Sequence, residues 1–98
     1  MTPNEFAEWA RQPGKALIAD SDWPFIQEFA GMTPRETQVC RLIFEGNTRE
    51  EVAQQLGISP RTIRHHMEVL HTKLDVSNRV NLVLRIIQIR NAIKRRSQ

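Results

Sequence analysis

The sequence holds a single cysteine, Cys40, so neither an intramolecular disulfide framework nor a cysteine-based zinc site can form. No apolar run approaches the roughly 20 residues of a membrane span, and the N-terminus lacks a signal-peptide layout. A reduced, cytoplasmic setting without membrane contact is the expectation. Sustained period-2 alternation and Asn-Gly or Asp-Gly turns are missing as well, which argues against strands and hairpins. No nucleophile–base pair, Gly-rich phosphate loop or acid–base carboxylate pair is recognisable, and most enzyme folds with a cleft need more chain than 98 residues. Catalysis and a cofactor are therefore not expected.

What is present suits one small globular domain. The chain is 40% hydrophobic and 26% charged, too apolar to remain disordered. Its length allows one modest core, which often needs support from a partner subunit. Charge is unevenly spread: residues 1–32 carry two basic and five acidic side chains, residues 33–98 twelve and six. A basic region behind an acidic extension points to nucleic acid for the first and a different task for the second. Taken alone, the charge equally suits a well-solvated surface.

Helix starts recur with the same chemistry. Thr2-Pro3-Asn4-Glu5 and Thr33-Pro34-Arg35-Glu36 are capping boxes with proline at the first helical position. Thr48-Arg49-Glu50-Glu51 repeats the box without proline, and Ser59-Pro60 and Ser77-Asn78 supply two further caps. Gly46 and Gly57 suit the left-handed position beyond a helix end. These signals predict an all-α chain with helices at about 34–45, 49–56, 60–74 and 78–94, preceded by shorter ones at 3–11 and 23–30. Pro13-Gly14 separates the short pair, and Gly31-Met32 joins the extension to the basic region.

A short helix, a tight connection at Gly57-Ile58-Ser59 and a longer helix form a helix-turn-helix pattern. On the longer helix, Ile63, Met67, Leu70 and Leu74 share one stripe, with His66 and Val69 on its flank. The opposite side presents Arg61, Arg64, His65, Glu68 and Thr72, with His71 at an edge. A helix locked by one face and showing arginine and imidazole on the other suits a major groove, where arginine pairs bidentately with guanine. Three histidines without a supporting cysteine or carboxylate do not make a metal site. His66 is expected to hydrogen-bond locally, and Cys40 to be a small core residue.

The run Met32-Thr33-Pro34-Arg35-Glu36 with Val39 and Leu42-Ile43 resembles the opening of the LuxR-type (GerE-type) helix-turn-helix domain. The similarity continues through Glu45-Gly46, Thr48 to Ala53, Leu56 to Ile63, His66, Lys73-Leu74, Val76 and Asn78-Arg79, covering about residues 32–92. It implies a four-helix DNA-binding domain of bacterial transcription regulators, whose third helix enters the major groove and whose fourth commonly forms the dimer interface. Carried onto this chain, the base-reading positions are Arg64, His65 and Glu68, to which the helical projection adds Arg61. The implied backbone contacts are Thr48, Arg49, Thr62, Lys73 and Ser77 or Asn78. Two positions depart from the family pattern: Asp75 stands where glycine is usual, and Glu68 places negative charge on the reading face.

The organisation expected is a helical extension over 1–31, too short for a sensor domain, and a DNA-binding domain over 32–98. Phe6, Trp9, Trp23, Phe25, Ile26 and Phe29 in the extension either pack onto the core or a dimer, or form a patch for a protein partner. The last helix carries two apolar stripes, Val80, Val83, Leu84 and Ile87 on one side and Leu82, Ile86, Ile89 and Ile93 on the other. A four-helix domain covers only one. Either the extension folds back over the second stripe or a second subunit covers it; the resemblance favours a homodimer centred on Leu82, Ile86 and Ile89, with Ile93 at its edge and Lys94 to Arg96 trailing as a mobile tail. The function expected is sequence-specific binding of double-stranded DNA. The alternative is a truncated relative that pairs with a full-length regulator and blocks it; the intact Arg61, Arg64 and His65 face favours DNA binding.

Overall fold

The computed structural model describes residues 2–10 and 17–96. Among these, the chain forms α1 (Pro3–Ala10), a 3-10 turn (Asp20–Asp22), α2 (Trp23–Ala30), α3 (Pro34–Phe44), α4 (Arg49–Leu56), α5 (Pro60–Leu74) and α6 (Arg79–Arg96), with no strand. The caps do what their chemistry requires. Thr33 and Thr48 each accept the amide three residues on, at 3.1 Å, while Glu36 and Glu51 reach back to the threonine amides. Ser59 caps α5 and Asn78 caps α6, accepting the amides of Thr62 at 3.1 Å and Asn81 at 2.8 Å. At the other ends Gly31, Gly57 and Asp75 take left-handed conformations. Asp75 is the sole non-glycine residue with positive φ (54°) among the described residues, at the position where the resemblance leads one to expect glycine. The Pro13-Gly14 break and the side chain of Trp9 lie outside the described residues.

The core runs through α3 to α6 and is closed by α2. Val39, Cys40, Ile43, Val52, Ile63, Met67 and Leu70 are all buried, as the helical stripes require. α2 adds Trp23 and Ile26: the indole meets Phe44 edge-on, with centroids 5.8 Å apart, and the Arg41 guanidinium lies 5.8 Å from the Trp23 ring. Burying Ile26 alone contributes about 1.5–3 kcal/mol.

The last helix corrects one expectation. Leu82 and Ile86 are fully buried and Ile89 nearly so, inside this chain's own core, while Ile93 packs partly buried at its edge. α3 and α5 pack against α6 and α2 folds back over it, so these residues are enclosed within one chain and cannot centre a dimer contact. The stripe left outside is the other one, with Val80 67% and Leu84 57% exposed and Val83 and Ile87 half-buried. The basic end does not trail either: α6 continues through Arg96, whose guanidinium lies 5.4 Å from the Phe29 ring. The extension's aromatics divide, with Trp23 and Ile26 in the core and Phe25, Phe29 and Phe6 about half exposed.

Candidate nucleic-acid interface

α4 and α5 cross as a helix-turn-helix because the left-handed Gly57 ends one helix and Ser59-Pro60 starts the next within three residues. Ala53 at the crossing is buried, and Ile58 packs against the core from the turn. With Ile63, Met67, Leu70 and Leu74 held inside, α5 exposes Arg61, Arg64, His65, Glu68 and Thr72 along its outer face. An open groove of about 590 Å³ separates the start of α4 from that of α5, with Arg49 and Arg64 among its walls and Ala53, Ile58 and Ile63 along its floor. Arg49, Arg61 and Arg64 form no hydrogen bond or ion pair among the described residues, leaving three guanidiniums free on one side of the motif.

The expected backbone-contacting residues have divided duties. Thr48, Thr62 and Asn78 are exposed, yet Thr48 and Asn78 also cap their helices, and the Thr62 hydroxyl lies 2.9 Å from that of Ser59. The Thr48 hydroxyl and the Asn78 amide each keep a donor for a ligand. Ser77 is exposed and its side chain makes no hydrogen bond among the described residues. Lys73 is engaged instead: its ammonium donates to Glu36 Oε1 at 2.7 Å and to the Gly31 carbonyl at 2.9 Å. Burial pushes the Glu36 carboxyl up, but bonds from Lys73 and the Thr33 amide outweigh it and hold the group below the ordinary carboxylate value. His66 is half-buried with its ring 6.2 Å from that of His65, and no hydrogen bond among the described residues ties it. Cys40 is buried, and desolvation pushes its thiol up to about 12, which makes it inert as a nucleophile.

Several supporting contacts carry no signal in a single sequence. Arg79 donates to the Ile43 carbonyl at 2.9 Å, tying α6 to the end of α3. Buried Asn47 donates to the Leu42 carbonyl at 2.8 Å and accepts from Gln55 at 2.9 Å, fixing the α3–α4 turn from which Thr48 and Arg49 emerge. Arg85 holds the Leu74 carbonyl at 3.0 Å and so anchors the end of α5. Each depends on which chain segments meet in space.

The profile of the bacterial regulatory proteins of the luxR family matches residues 30–86. The chain belongs to the LuxR family. The match takes in α3, α4, α5 and the first part of α6, and so includes the whole helix-turn-helix and its exposed face. An HTH-type transcriptional regulator candidate of Mycobacterium bovis is 38% identical over 86 residues, covering 76% of this chain and 10% of that protein. The transcriptional regulatory protein DesR of Bacillus subtilis is 35% identical over 54 residues, covering 55% of this chain and 27% of its own length. The transcriptional activator protein AnoR of Acinetobacter nosocomialis is 31% identical over 83 residues, 83% of this chain and 35% of its own length. The chain thus spans between about a tenth and a third of these relatives' lengths. No solved structure matches it significantly.

Proposed function

We propose that this LuxR-family chain binds double-stranded DNA in a sequence-specific manner and regulates bacterial transcription, with α5 in the major groove. The observation that carries the reading is the outer face of α5, where Arg61, Arg64 and His65 stand exposed and the arginines are unpaired, with Arg49 free nearby. Arg64 and Arg61 donate to guanine O6 and N7, His65 donates to similar acceptors, and Glu68 accepts from cytosine N4. Thr48, Thr62, Ser77, Asn78 and Arg49 fix the register on phosphates. Action on the chromosome places the protein in the cytoplasm.

A homodimer through α6 completes this reading, formed by the exposed Val80 and Leu84 with half-buried Val83 and Ile87. Exposed apolar side chains in a row on one helix favour a partner, and two-fold pairing would present two α5 helices to half-sites about one helical turn apart. Exposed Phe25 and Phe29 offer a further contact for a protein partner at the extension. Selection of genomic fragments by the purified chain tests the main reading: a pseudo-palindromic sequence is expected to enrich. No enrichment at low salt would overturn it and favour an antagonist that pairs with other regulators. Light scattering at micromolar concentration is expected to give about twice the chain mass.

A further inference from the structure

Lys73 lies near the C-terminal end of α5, about 18 Å along the helix axis from Arg61 and roughly 120° around it. It is therefore off the face that reads bases, although it belongs to the same helix. Its Nζ donates to Glu36 Oε1 at 2.7 Å and to the carbonyl of left-handed Gly31 at 2.9 Å. The same Glu36 oxygen accepts the Thr33 amide at 2.8 Å and closes the capping box of α3. One ammonium thus joins the end of α2, the first turn of α3 and the last turn of α5. The Glu36 side chain is only 10% exposed, so the pair is partly shielded from water. To touch a phosphate, Lys73 would have to release both partners.

We propose that Lys73 is a positioning residue that couples the N-terminal extension to the recognition helix, so that loosening the Gly31–Glu36 junction weakens DNA binding without removing a phosphate contact. The proposal rests on the DNA-binding reading above. Its physical basis is leverage. α5 presents its bases-reading residues from its first half, while the junction holds its far end. A tilt of about 10–20° is enough to spoil hydrogen-bond geometry at a rigid site. A partner docked on the extension would act through the same junction.

The test compares Lys73→Met, Glu36→Gln and the double variant with the wild-type chain, on the DNA sequence that the wild-type chain selects, over a series of salt concentrations. Glu36→Gln keeps an acceptor for the Thr33 amide, so the helix cap survives while the charge pairing is lost. Each single variant is expected to bind about threefold to tenfold more weakly, the double variant no more weakly than either, as for residues acting as one unit. The slope of log affinity against log salt stays that of the wild type. A slope flattened by roughly one counterion in Lys73→Met, with wild-type affinity in Glu36→Gln, would make Lys73 a phosphate contact and overturn the proposal. Wild-type affinity in both variants would overturn it as well. Hydrogen exchange without DNA gives an independent reading: both variants are expected to speed exchange in the last turn of α5, with the Thr33 amide still held by the cap. Unchanged protection in that turn would refute the coupling. A wild-type chain that selects no DNA would instead defeat the functional reading, and the exchange result alone would then decide whether the junction holds α5.

Discussion

Arginine and lysine serve different ends on the two sides of this molecule. Around α2, α3 and α6, Arg41 bonds Asp20 and Glu45, Arg79 holds the Ile43 carbonyl, Arg85 holds that of Leu74, and Arg96 covers Phe29. Arg90 approaches Asp22 at 3.9 Å. Across α4 and the outer face of α5, Arg49, Arg61 and Arg64 have no partner among the described residues. The twelve basic side chains of residues 33–98 therefore overstate what a ligand meets, because much of that charge holds helices together. Net charge points to a class of partner. The subset of cations left unpaired points to where it binds.

The sharpest way to break this division lies within α6. Ile86→Glu places a carboxylate in a fully buried site with no cation built to receive it, and is expected to cost about 4 kcal/mol or more, enough to unfold a domain of this size. Leu84→Glu, two residues away on the exposed side, should leave the thermal melt nearly unchanged and bring the mass by light scattering down to one chain. Similar melts for the two would mean that the faces of α6 are assigned the wrong way round.

A second pair contrasts free with engaged arginine. Arg64→Ala is expected to weaken binding to the selected site by about 1–3 kcal/mol and relax preference at one base position, with an unchanged melting temperature. Arg79→Ala should do the reverse, losing about 1 kcal/mol of folding stability with the charge-assisted bond that ties α6 to the Ile43 carbonyl, which keeps the Gly46 amide as its donor. Anisotropy titration and urea unfolding of both proteins measure the contrast.

Acid tests the engaged side more gently. Glu36 has its pKa held below its ordinary value of 4.5 in the folded chain. A carboxylate so depressed contributes stability that is complete above the ordinary value and is lost as pH falls through the folded one. Glu36→Gln is therefore expected to be less stable at neutral pH and to show a shallower loss below pH 4.5 than the wild type, in urea midpoints taken across that range. The smallest effect is expected at Asp75, held at φ 54°. Asp75→Gly should relieve left-handed strain and raise stability by about 0.5–1 kcal/mol, without altering base preference.

Most of the local structure is readable in the sequence. Capping boxes and apolar periodicity predict every helix to within two residues, since caps and stripes are local chemistry. The exposed face of α5 follows from the same periodicity, because one buried stripe dictates its opposite. The choice between the two stripes of α6 does not. Both are apolar, and only the packing of α2, α3 and α5 against α6, from segments distant in the chain, decides that Leu82 and Ile86 go inside. Lys73 fails for a related reason: its partners Gly31 and Glu36 lie about forty residues upstream, and nothing near Lys73 in sequence reveals that its charge is already used.

The packing of α2 on α6 also orders events in time. Helices α3 to α5 are neighbours in sequence and can dock as soon as each is made. α2, by contrast, is complete before residue 31 and meets its second neighbour, α6, only after residue 79 has been synthesised. At about 5–20 residues per second the side of α2 that meets α6 would wait roughly 2–10 s for its cover. During that interval α2 can rest on α3 through Trp23 and Phe44 while its other side stays open, and the closing of that side on α6 is the last step of folding. A chain built this way should refold with a fast phase that forms the helices and shifts Trp23 emission, followed by slower protection of the α6 amides as α2 meets the last helix.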